Sequence, residues 1–285
     1  MRAWLSLLQE VRAHGVKRPD RTGVGTLALF GLSATFDNTC TFPAVTAKHL
    51  AFGQVKSELA CFLRGHDNLA QFHALGCKIW DGNGSAPYWE PRSKGDLGRI
   101  YGVQWRDWVS AEPLPGGRGL GTVTHTDQLK ELVDGLRKDP YGRRHLVTAW
   151  NPGELGQMCL PPCHVMFQCF VAPQEDRPRV MHMRVDMRSV DLFLGLPFDV
   201  ASYALLQRLI CKELSLLSGR LVFQLGDAHV YLNHLEQVEQ VLGREPLPPP
   251  TLELAETASL FSFHPDSAQL VGYSHYGAVP APLNI

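Results

Sequence analysis

The segment RVMHMRVDM, residues 179–187, constrains the fold more than any other part of the chain. Apolar side chains at positions 181, 183, 185 and 187 alternate with the polar side chains of His182, Arg184, Asp186 and Arg188. A period of two residues is typical of a β-strand whose two faces meet different environments. We therefore expect this strand in a sheet with one face buried in a core and the other face unusually polar.

Helical and strand-like patterns follow one another irregularly along the rest of the chain. Amphipathic helices are predicted at the N-terminus and in GQVKSELACFLRG, TDQLKELVDGLRKDP, VASYALLQRLICKELSLLSG and NHLEQVEQVLGREP. Further strands are predicted in GTLALFGLSATF, RRHLVTAW, CHVMFQCFVA and GRLVFQLGDAHVY. Because strands and helices do not alternate one by one, the pattern favours an α+β fold, with a large, mostly antiparallel sheet and surrounding helices, over a doubly wound nucleotide-binding fold.

The length of 285 residues and a hydrophobic content of 45% allow a substantial core. We expect a single domain over residues 1–285. Two stretches rich in Pro and Gly, WVSAEPLPGGRGLGT and GREPLPPPTLEL, are too short to link independent domains and are predicted to be surface loops.

Charge and cysteine content restrict the cellular setting and the partners. The 27 basic and 28 acidic residues nearly balance, so no strong net field attracts duplex nucleic acid or an anionic membrane. No run of about 18 apolar residues could span a bilayer. The seven cysteines are odd in number and scattered, which favours a reducing compartment. A cytoplasmic protein is expected.

The segment CLPPCHVMFQ, residues 159–168, contains the best local candidate for chemistry. Cys163 follows two prolines and opens a predicted strand, so its thiol would be held at a fixed strand entrance. A free cysteine is also a common small core residue, and both interpretations stay open on this segment alone. No metal site is expected, because nothing else supplies the paired ligand spacing of zinc sites.

A reactive thiolate needs positive charge nearby. The candidate arginines are Arg21, Arg143, Arg144 and Arg188. They are distant in sequence, so only the fold can bring them to the thiol.

Eight segments are distinctive in combination. They are DRTGVGTLALFG, KIWDGNGS, GDLGRIYGVQWRDW, GRRHLVTAWNPGEL, LPPCHVMFQ, RSVDLFLGLPFDVASYALL, GDAHVYLNH and GYSHYGAVPAPLNI. In residues and order they resemble the thymidylate synthase family, and the resemblance covers nearly the whole chain. It implies a homodimer that transfers a one-carbon unit from the co-substrate 5,10-methylenetetrahydrofolate to carbon 5 of a pyrimidine nucleotide.

The resemblance also implies roles for individual residues. Cys163 would attack carbon 6 of the ring and so make carbon 5 nucleophilic. Glu58 would organise water for proton transfer at the carbon 4 substituent, and Tyr101 would lie beside the reacting sulfur. The further catalytic candidates are Asp199 and Arg188.

Binding residues follow from the same resemblance. The nucleotide phosphate would be held by Arg21, Arg188 and Ser189, together with Arg143 and Arg144 of the other subunit. His229 and Tyr231 would bind the sugar 3′-hydroxyl. The residues expected around the folate are Ile79, Trp80, Asp191, Leu194, Gly195, Phe198 and Asn284.

Asp199 departs from the thymidylate synthase pattern, which ordinarily has asparagine at this position. An asparagine amide accepts a hydrogen bond from ring nitrogen 3 of uracil and donates one to the carbon 4 oxygen, whereas cytosine inverts both groups. A protonated carboxyl group supplies the reciprocal pair, and burial favours protonation. The related phage deoxycytidylate hydroxymethylases also carry aspartate here, and the segment VDMRSVD resembles theirs. The competing interpretation is that Asp199 is the N-cap of a helix beginning at Val200.

The leading hypothesis is a deoxycytidylate 5-methyltransferase that acts on dCMP. The alternatives are hydroxymethylation of dCMP or CMP, methylation of dUMP by an ordinary thymidylate synthase, and a catalytically silent nucleotide- or RNA-binding regulator. Retention of Cys163, Glu58 and the phosphate arginines argues against the silent regulator. A phage source would place the enzyme in the host cytoplasm.

Three further departures from the family concern the folate side. Ala51 and Gly53 stand where bacterial synthases commonly have His and Arg near the folate glutamyl tail. Asn284 replaces a small apolar residue next to Ile285 and could hold a water near the exocyclic carbon. We expect folate binding and closure of the site to be affected.

Overall fold

The computed structural model describes residues 1–114, 116, 120–175 and 178–284. Its helices are α1 (Arg2–His14), α2 (Phe52–Leu63), α3 (Leu69–Ala74), α4 (Asp81–Gly84), α5 (Tyr101–Arg106), α6 (Gln128–Lys138), α7 (Gly195–Leu214) and α8 (Leu235–Leu242). Its strands are β1 (Val16–Arg18), β2 (Thr26–Asp37), β3 (Trp108–Pro113), β4 (Leu120–Thr126), β5 (Leu146–Thr148), β6 (His164–Ala172), β7 (Val180–Asp191), β8 (Leu217–Tyr231), β9 (Thr251–Leu254) and β10 (Ala268–Val271).

The central sheet has six strands in the order β1, β2, β8, β7, β6, β5. Neighbouring strands run antiparallel except β7 and β8, which are parallel. Parallel neighbours need a long crossover, and helix α7 supplies it. The prediction of an α+β fold with a large, mostly antiparallel sheet is confirmed.

The two faces of the sheet differ as the alternation in β7 predicted. Met181, Met183, Val185 and Met187 are all buried, on the face against which α7 packs. The opposite face carries polar side chains of β7 and the ring of Phe170, which is 65% exposed and stacks on His182. Phe30, on β2, is also exposed, at 87%.

Helix α7 is buried around most of its circumference. Both the nitrogen and the oxygen of its buried side-chain amide, that of Gln207, have hydrogen-bond partners. The Nε2 atom of Gln207 donates to the carbonyl oxygen of Met181 at 2.8 Å, and its Oε1 atom accepts from Nδ2 of Asn38 at 2.9 Å. A buried amide without partners would cost about 1–3 kcal/mol. These bonds therefore fix the position of α7 on the sheet.

The bounds of α7 differ from the prediction. The helix begins at Gly195 instead of Val200, because Pro197 fits the first turn, where its missing N–H has no partner to lose. It ends at Leu214, since Ser215 takes a left-handed conformation with φ 52° and the chain then enters β8. The predicted helical stretch through Gly219 is therefore too long.

Parts of both predicted surface loops are strands. Strands β3 and β4 form an antiparallel hairpin over most of WVSAEPLPGGRGLGT, where Ser110 Oγ and Thr124 Oγ1 lie 2.7 Å apart across the pair. The β-branched residues on either side of the Pro/Gly cluster favour this hairpin. Residues 115 and 117–119 of that stretch lie outside the described residues. The end of GREPLPPPTLEL forms β9, which pairs with β10.

The single-domain organisation stays a prediction. Buried apolar side chains of the described residues form one contiguous cluster. No helix in this part of the chain is both long and apolar enough to cross a membrane.

Candidate active site

Cys163 lies at the entrance to β6, directly after Pro161 and Pro162. The guanidinium group of Arg188, on β7, donates to the carbonyl oxygens of both prolines at 2.8 Å. The backbone N–H of Arg188 also donates to the carbonyl oxygen of Cys163 at 2.9 Å. These three hydrogen bonds hold the turn that carries the thiol against the neighbouring strand.

Tyr101, at the start of α5, contacts the same turn. Its hydroxyl oxygen accepts a hydrogen bond from the backbone N–H of Cys163 at 2.7 Å, and its ring stacks on that of His164 with 4.1 Å between centroids. Nδ1 of His164 lies 2.7 Å from the hydroxyl oxygen of Tyr203. Burial lowers the pKa of His164 to about 3, so this imidazole is neutral and supplies no positive charge to the neighbouring thiol.

Opposing influences act on the Cys163 thiol. Burial raises its pKa most strongly, and the negative charge of Asp199 also raises it. The charges of Arg188 and Arg21 and a hydrogen bond with Tyr101 lower the pKa. Loss of the negative charge on Asp199 would remove one of the factors that oppose ionisation, so the protonation state of Asp199 affects how readily the thiolate forms.

Glu58 lies on α2, and its carboxyl group is hydrogen-bonded to Trp80. The indole Nε1–H of Trp80 donates to Oε1 of Glu58 at 2.7 Å. Burial raises the pKa of Glu58 to about 7, against the lowering effect of this bond. A carboxyl group with a pKa near neutrality can both accept and release a proton under physiological conditions.

Asp199 lies in the second turn of α7, and its interpretation as an N-cap is wrong. The N-cap position is Leu194, and an N-cap side chain would have to bond the second or third backbone N–H of the helix. The chain just before the helix is instead stabilised by Asp191. Its Oδ1 atom accepts hydrogen bonds from the backbone N–H groups of Phe193 at 2.8 Å and Leu194 at 3.1 Å.

The carboxyl group of Asp199 has a strongly altered acidity. Part of the residue remains accessible to solvent, yet protein atoms surround the carboxyl group, and this burial raises its pKa well above the usual value. The charges of Glu58 and Asp191 raise the pKa further. A Cβ atom placed on Gly195 would lie 3.7 Å from Cβ of Asp191 and 3.8 Å from Oδ2 of Asp199, so Gly195 leaves space beside both acids. Mutual repulsion among the three carboxyl groups favours a neutral Asp199.

Two of the predicted phosphate arginines lie near Cys163. The charge of Arg21, in the loop between β1 and β2, lowers the pKa of Cys163, and its guanidinium group lies 5.1 Å from the ring centre of Tyr88. Arg188 is exposed, with its guanidinium group 5.4 Å from the ring centre of Trp150. Ser189 follows it on β7.

Arg143 and Arg144 are not brought to this site by the fold of the chain. They lie just before β5, separated from it by His145, at the opposite edge of the sheet from β1, and both are exposed. Within the described residues neither side chain has an ion pair or hydrogen bond. Their predicted action in the site of another subunit stays a prediction.

His229 and Tyr231 lie on β8, beside the end of β7. The backbone of His229 pairs with that of Asp191, and the rings of His229 and Tyr231 lie 5.3 Å apart. Nδ1 of His229 is 3.1 Å from Oδ1 of Asp227, whose other oxygen accepts from Nη1 of Arg18 at 2.5 Å. Asp227 therefore orients the His229 ring.

Four of the predicted folate residues, Asp191, Leu194, Gly195 and Phe198, lie at the start of α7. Ile79, Leu194 and Phe198 are partly buried and pack against the core, and Trp80 is buried. The Nζ atom of Lys48 lies 4.4 Å from the ring centre of Phe193, and burial lowers the pKa of Lys48 to about 8 while the charge of Asp191 opposes this. At the departures from the family, Ala51 directly precedes α2, and Gly53 is exposed with open space around it.

Asn284, the last described residue, contacts protein groups. Its Oδ1 atom accepts from Nδ2 of Asn233 at 3.1 Å, and its Nδ2 atom donates back at 3.2 Å. Nδ2 of Asn284 is also 3.3 Å from Nε2 of His234. Ile285 lies outside the described residues.

The family model for thymidylate synthase matches residues 2–285. The chain belongs to the thymidylate synthase family. Members of this family catalyse folate-dependent one-carbon transfer to carbon 5 of a pyrimidine nucleotide, with methylenetetrahydrofolate as co-substrate. Within the described residues no group of three or more His, Cys, Asp or Glu side chains is arranged to hold a metal ion.

Sequence reasoning missed three residues of this thymidylate synthase family site. They are Tyr203, which contacts His164, Asp227, which contacts His229, and His234, which contacts the C-terminal tail. Asp227 and His234 are in the quoted segment GDAHVYLNH, so their presence in the motif was a usable signal. Tyr203 is an ordinary apolar-face position of a helix, and only the fold places its hydroxyl group on His164.

Proposed function

We propose that the chain transfers a methyl group to carbon 5 of a cytosine deoxynucleotide, converting dCMP to 5-methyl-dCMP with methylenetetrahydrofolate. The observation that carries this proposal is the placement of Asp199. It is not a helix cap, its carboxyl group is surrounded by protein and near two other acids, and its pKa is raised well above the usual value.

A neutral carboxyl group at this position is complementary to cytosine. Its O–H donates to ring nitrogen 3, and its carbonyl oxygen accepts from the carbon 4 amine. With the acid proton on the oxygen that faces ring nitrogen 3, uracil would present an N–H to the O–H and an oxygen to the carbonyl oxygen, so both pairs would be mismatched. A mismatched buried pair costs about 1–3 kcal/mol, or roughly tenfold to hundredfold in selectivity.

The same neutral state assists the nucleophile. A neutral Asp199 no longer raises the pKa of Cys163, so Arg188 and Arg21 favour the thiolate with less opposition. The thiolate adds to carbon 6, and carbon 5 becomes the nucleophile that takes the folate methylene. Carbon 5 then loses its proton, the bond from the methylene to the folate nitrogen breaks, and hydride addition to the methylene expels the thiolate from carbon 6. The phosphate dianion pairs with Arg21 and Arg188, for which the planar guanidinium group is well suited.

Proton transfer at the carbon 4 substituent is assigned to Glu58. Its pKa of about 7 allows it to exchange a proton with a bound water, and the bond from Trp80 fixes its orientation. Asp191 is assigned to the pterin, and His229 with Tyr231 to the sugar 3′-hydroxyl.

The methyl product is favoured by the position of Asn284. Hydroxymethylation would need a water next to the exocyclic carbon, and an asparagine amide at the end of the chain could hold one. The amide of Asn284 is instead bonded to Asn233 and near His234. Exclusion of water by the tail leaves hydride transfer from the reduced folate as the step that completes the methyl group.

A homodimer is supported by the uncovered face of the sheet. Phe170 is largely exposed on that face, and a cavity of about 280 Å³ there is lined by residues that include Asp186, Arg188 and Gln224. The Oδ2 atom of Asp186 is buried without a hydrogen-bond partner among the described residues. A large exposed apolar side chain on the same face as an unpaired carboxylate oxygen fits an interface that a second copy completes, with its Arg143 and Arg144 near Arg188.

One experiment determines both which base is converted and which product is formed. dCMP, dUMP and CMP are incubated separately with methylenetetrahydrofolate, the nucleotide product is identified by mass, and dihydrofolate formation is followed. The proposal predicts 5-methyl-dCMP with one dihydrofolate per turnover. 5-Hydroxymethyl-dCMP without dihydrofolate would overturn the product assignment, and preferential conversion of dUMP would overturn the base assignment. Release of tritium from carbon 5 of dCMP distinguishes an enzyme from a protein that only binds the nucleotide.

A further inference from the structure

The C-terminal tail is attached to the short helical turn Leu232–His234 by polar contacts. Asn233 and Asn284 form the reciprocal amide pair described above, and Nε2 of His234 lies 2.8 Å from the carbonyl oxygen of Pro282. We name these four residues, Asn233, His234, Pro282 and Asn284, the tail latch. Asn233 is exposed, whereas His234 is completely buried.

The tail contact determines which nitrogen of His234 carries the proton. A carbonyl oxygen can only accept a hydrogen bond, so the contact with Pro282 requires the proton on Nε2. The other nitrogen, Nδ1, is buried without a hydrogen-bond partner among the described residues and lies 4.0 Å from Oδ2 of Asp191. When the His234 ring is neutral, Nδ1 of His234 and Oδ2 of Asp191 are therefore both hydrogen-bond acceptors. They face each other, and neither can donate a hydrogen bond to the other.

Asp191 has one oxygen left for a ligand. Its Oδ1 atom is bonded to the backbone N–H groups of Phe193 and Leu194, and Oδ2 is the atom that faces His234. A ligand amino or amide N–H placed at Oδ2 would also be close to Nδ1 of His234. Such a donor would satisfy a carboxylate oxygen and a buried nitrogen together, which makes the site selective for N–H groups.

We infer that His234 is a positioning residue that couples docking of the C-terminal tail to binding of ligand N–H donors at Asp191. Docking of Pro282 keeps the proton on Nε2 and leaves Nδ1 as an acceptor for the ligand. Asn284 holds the tail in the docked position through Asn233. Naming the reduced folate, whose pterin carries N–H donors, as this ligand rests on the proposed function.

The first experiment tests the latch without any ligand. Hydrogen exchange of the peptide covering residues 279–284 is measured in the parent, Asn284→Ala, Asn233→Ala and the double variant. Each single variant should exchange about threefold to tenfold faster, and the double variant no faster than either single one, because one alanine already breaks the reciprocal pair. Leu283→Ala is the matched control, since Leu283 is 62% exposed on the same tail. Unchanged exchange in the single variants would overturn the latch.

The second experiment tests the coupling. In His234→Gln the amide nitrogen of the glutamine can donate to the carbonyl oxygen of Pro282 in place of Nε2. No group of the glutamine replaces Nδ1 as the acceptor beside Asp191. Tail exchange should stay near the parent rate, whereas KM for methylenetetrahydrofolate should rise about threefold to tenfold with KM for the nucleotide unchanged. An unchanged folate KM, or an equal rise in both KM values, would overturn the coupling. If this buried variant fails to fold in a thermal unfolding check, Asn284→Ala is subjected to the same comparison of KM values.

The two experiments also separate this inference from the proposed function. Absence of turnover with every nucleotide would refute the proposed function, and the hydrogen-exchange result would still decide whether the latch exists. In that case calorimetric titration with tetrahydrofolate tests the coupling, with weaker binding expected in Asn284→Ala than in Leu283→Ala. Equal binding by the two variants would refute it.

Discussion

The hydroxyl oxygen of Tyr101 accepts a hydrogen bond from the backbone N–H of Cys163 at 2.7 Å. Tyr101 also lowers the pKa of the Cys163 thiol through a hydrogen bond. A single phenol therefore fixes the backbone at the strand entrance and favours ionisation of the sulfur.

Tyr101→Phe should raise the pKa of Cys163 and slow its alkylation by iodoacetamide at neutral pH. The variant also leaves a backbone N–H without its partner, so the free energy of unfolding should fall by about 1–3 kcal/mol. Tyr203→Phe is the control, because the Tyr203 hydroxyl group contacts His164 and not the cysteine. Equal alkylation profiles for Tyr101→Phe and the parent would contradict the role of the phenol.

Cys163→Ser should abolish turnover and release of tritium from carbon 5 of dCMP. Serine changes the volume little, so the melting temperature should remain close to that of the parent, and the loss reports the missing nucleophile. Cys40→Ser, at an exposed free cysteine, should retain full activity. Turnover by the Cys163 variant at about a tenth of the parent rate or better would disprove the assignment.

Asp199→Asn should shift the preference from dCMP toward dUMP, measured as the ratio of the two kcat/KM values. The amide restores the acceptor and donor that uracil needs, and a change of about tenfold to hundredfold in this ratio is expected. Alkylation of Cys163 should stay close to the parent rate, because Asp199 is already neutral in the parent and its replacement removes no charge. An unchanged ratio would show that Asp199 does not read the base.

Glu58→Gln should remove a pH dependence of stability. The pKa of Glu58 is about 7 in the folded protein and 4.5 ordinarily, so the stabilising contribution of its neutral form is fully present below pH 4.5 and lost as pH rises through about 7. A shift of this size corresponds to roughly 3 kcal/mol.

The check is urea unfolding of both proteins at about pH 5 and about pH 8. The fall in the free energy of unfolding between these values should be smaller in Glu58→Gln than in the parent. Equal falls would mean that Glu58 ionises in the folded protein as it does in the unfolded chain.

Arg143→Ala combined with Arg144→Ala should inactivate the enzyme although both residues lie far from Cys163 in their own chain. Mixing this variant with Cys163→Ser under subunit exchange should restore about a quarter of the parent activity, because half of the dimers then contain one intact site. The control mixture pairs the arginine variant with a protein that carries both the arginine substitutions and Cys163→Ser. Recovery in the control, or none in the test mixture, would contradict a site shared between subunits.

Local periodicity was sufficient for much of the fold. The alternation in β7 predicted one buried and one polar face, since a strand places successive side chains on opposite sides whatever lies around it. The order of strand and helix patterns likewise predicted the α+β fold. The combination of eight segments indicated the family that the family model then matched.

Features that depend on residues distant in the chain could not be read from the sequence. Whether Asp199 caps a helix depended on where α7 begins, and Pro197 in the first turn moved that start to Gly195. Three hydrogen bonds of the site join residues that are distant in the chain. Trp80 and Glu58 are 22 positions apart, Arg188 and Pro161 are 27 apart, and Asn284 and Asn233 are 51 apart. Burial and charge act through space, so the residue types were visible in the sequence, whereas their pKa values and partners were decided by the tertiary structure.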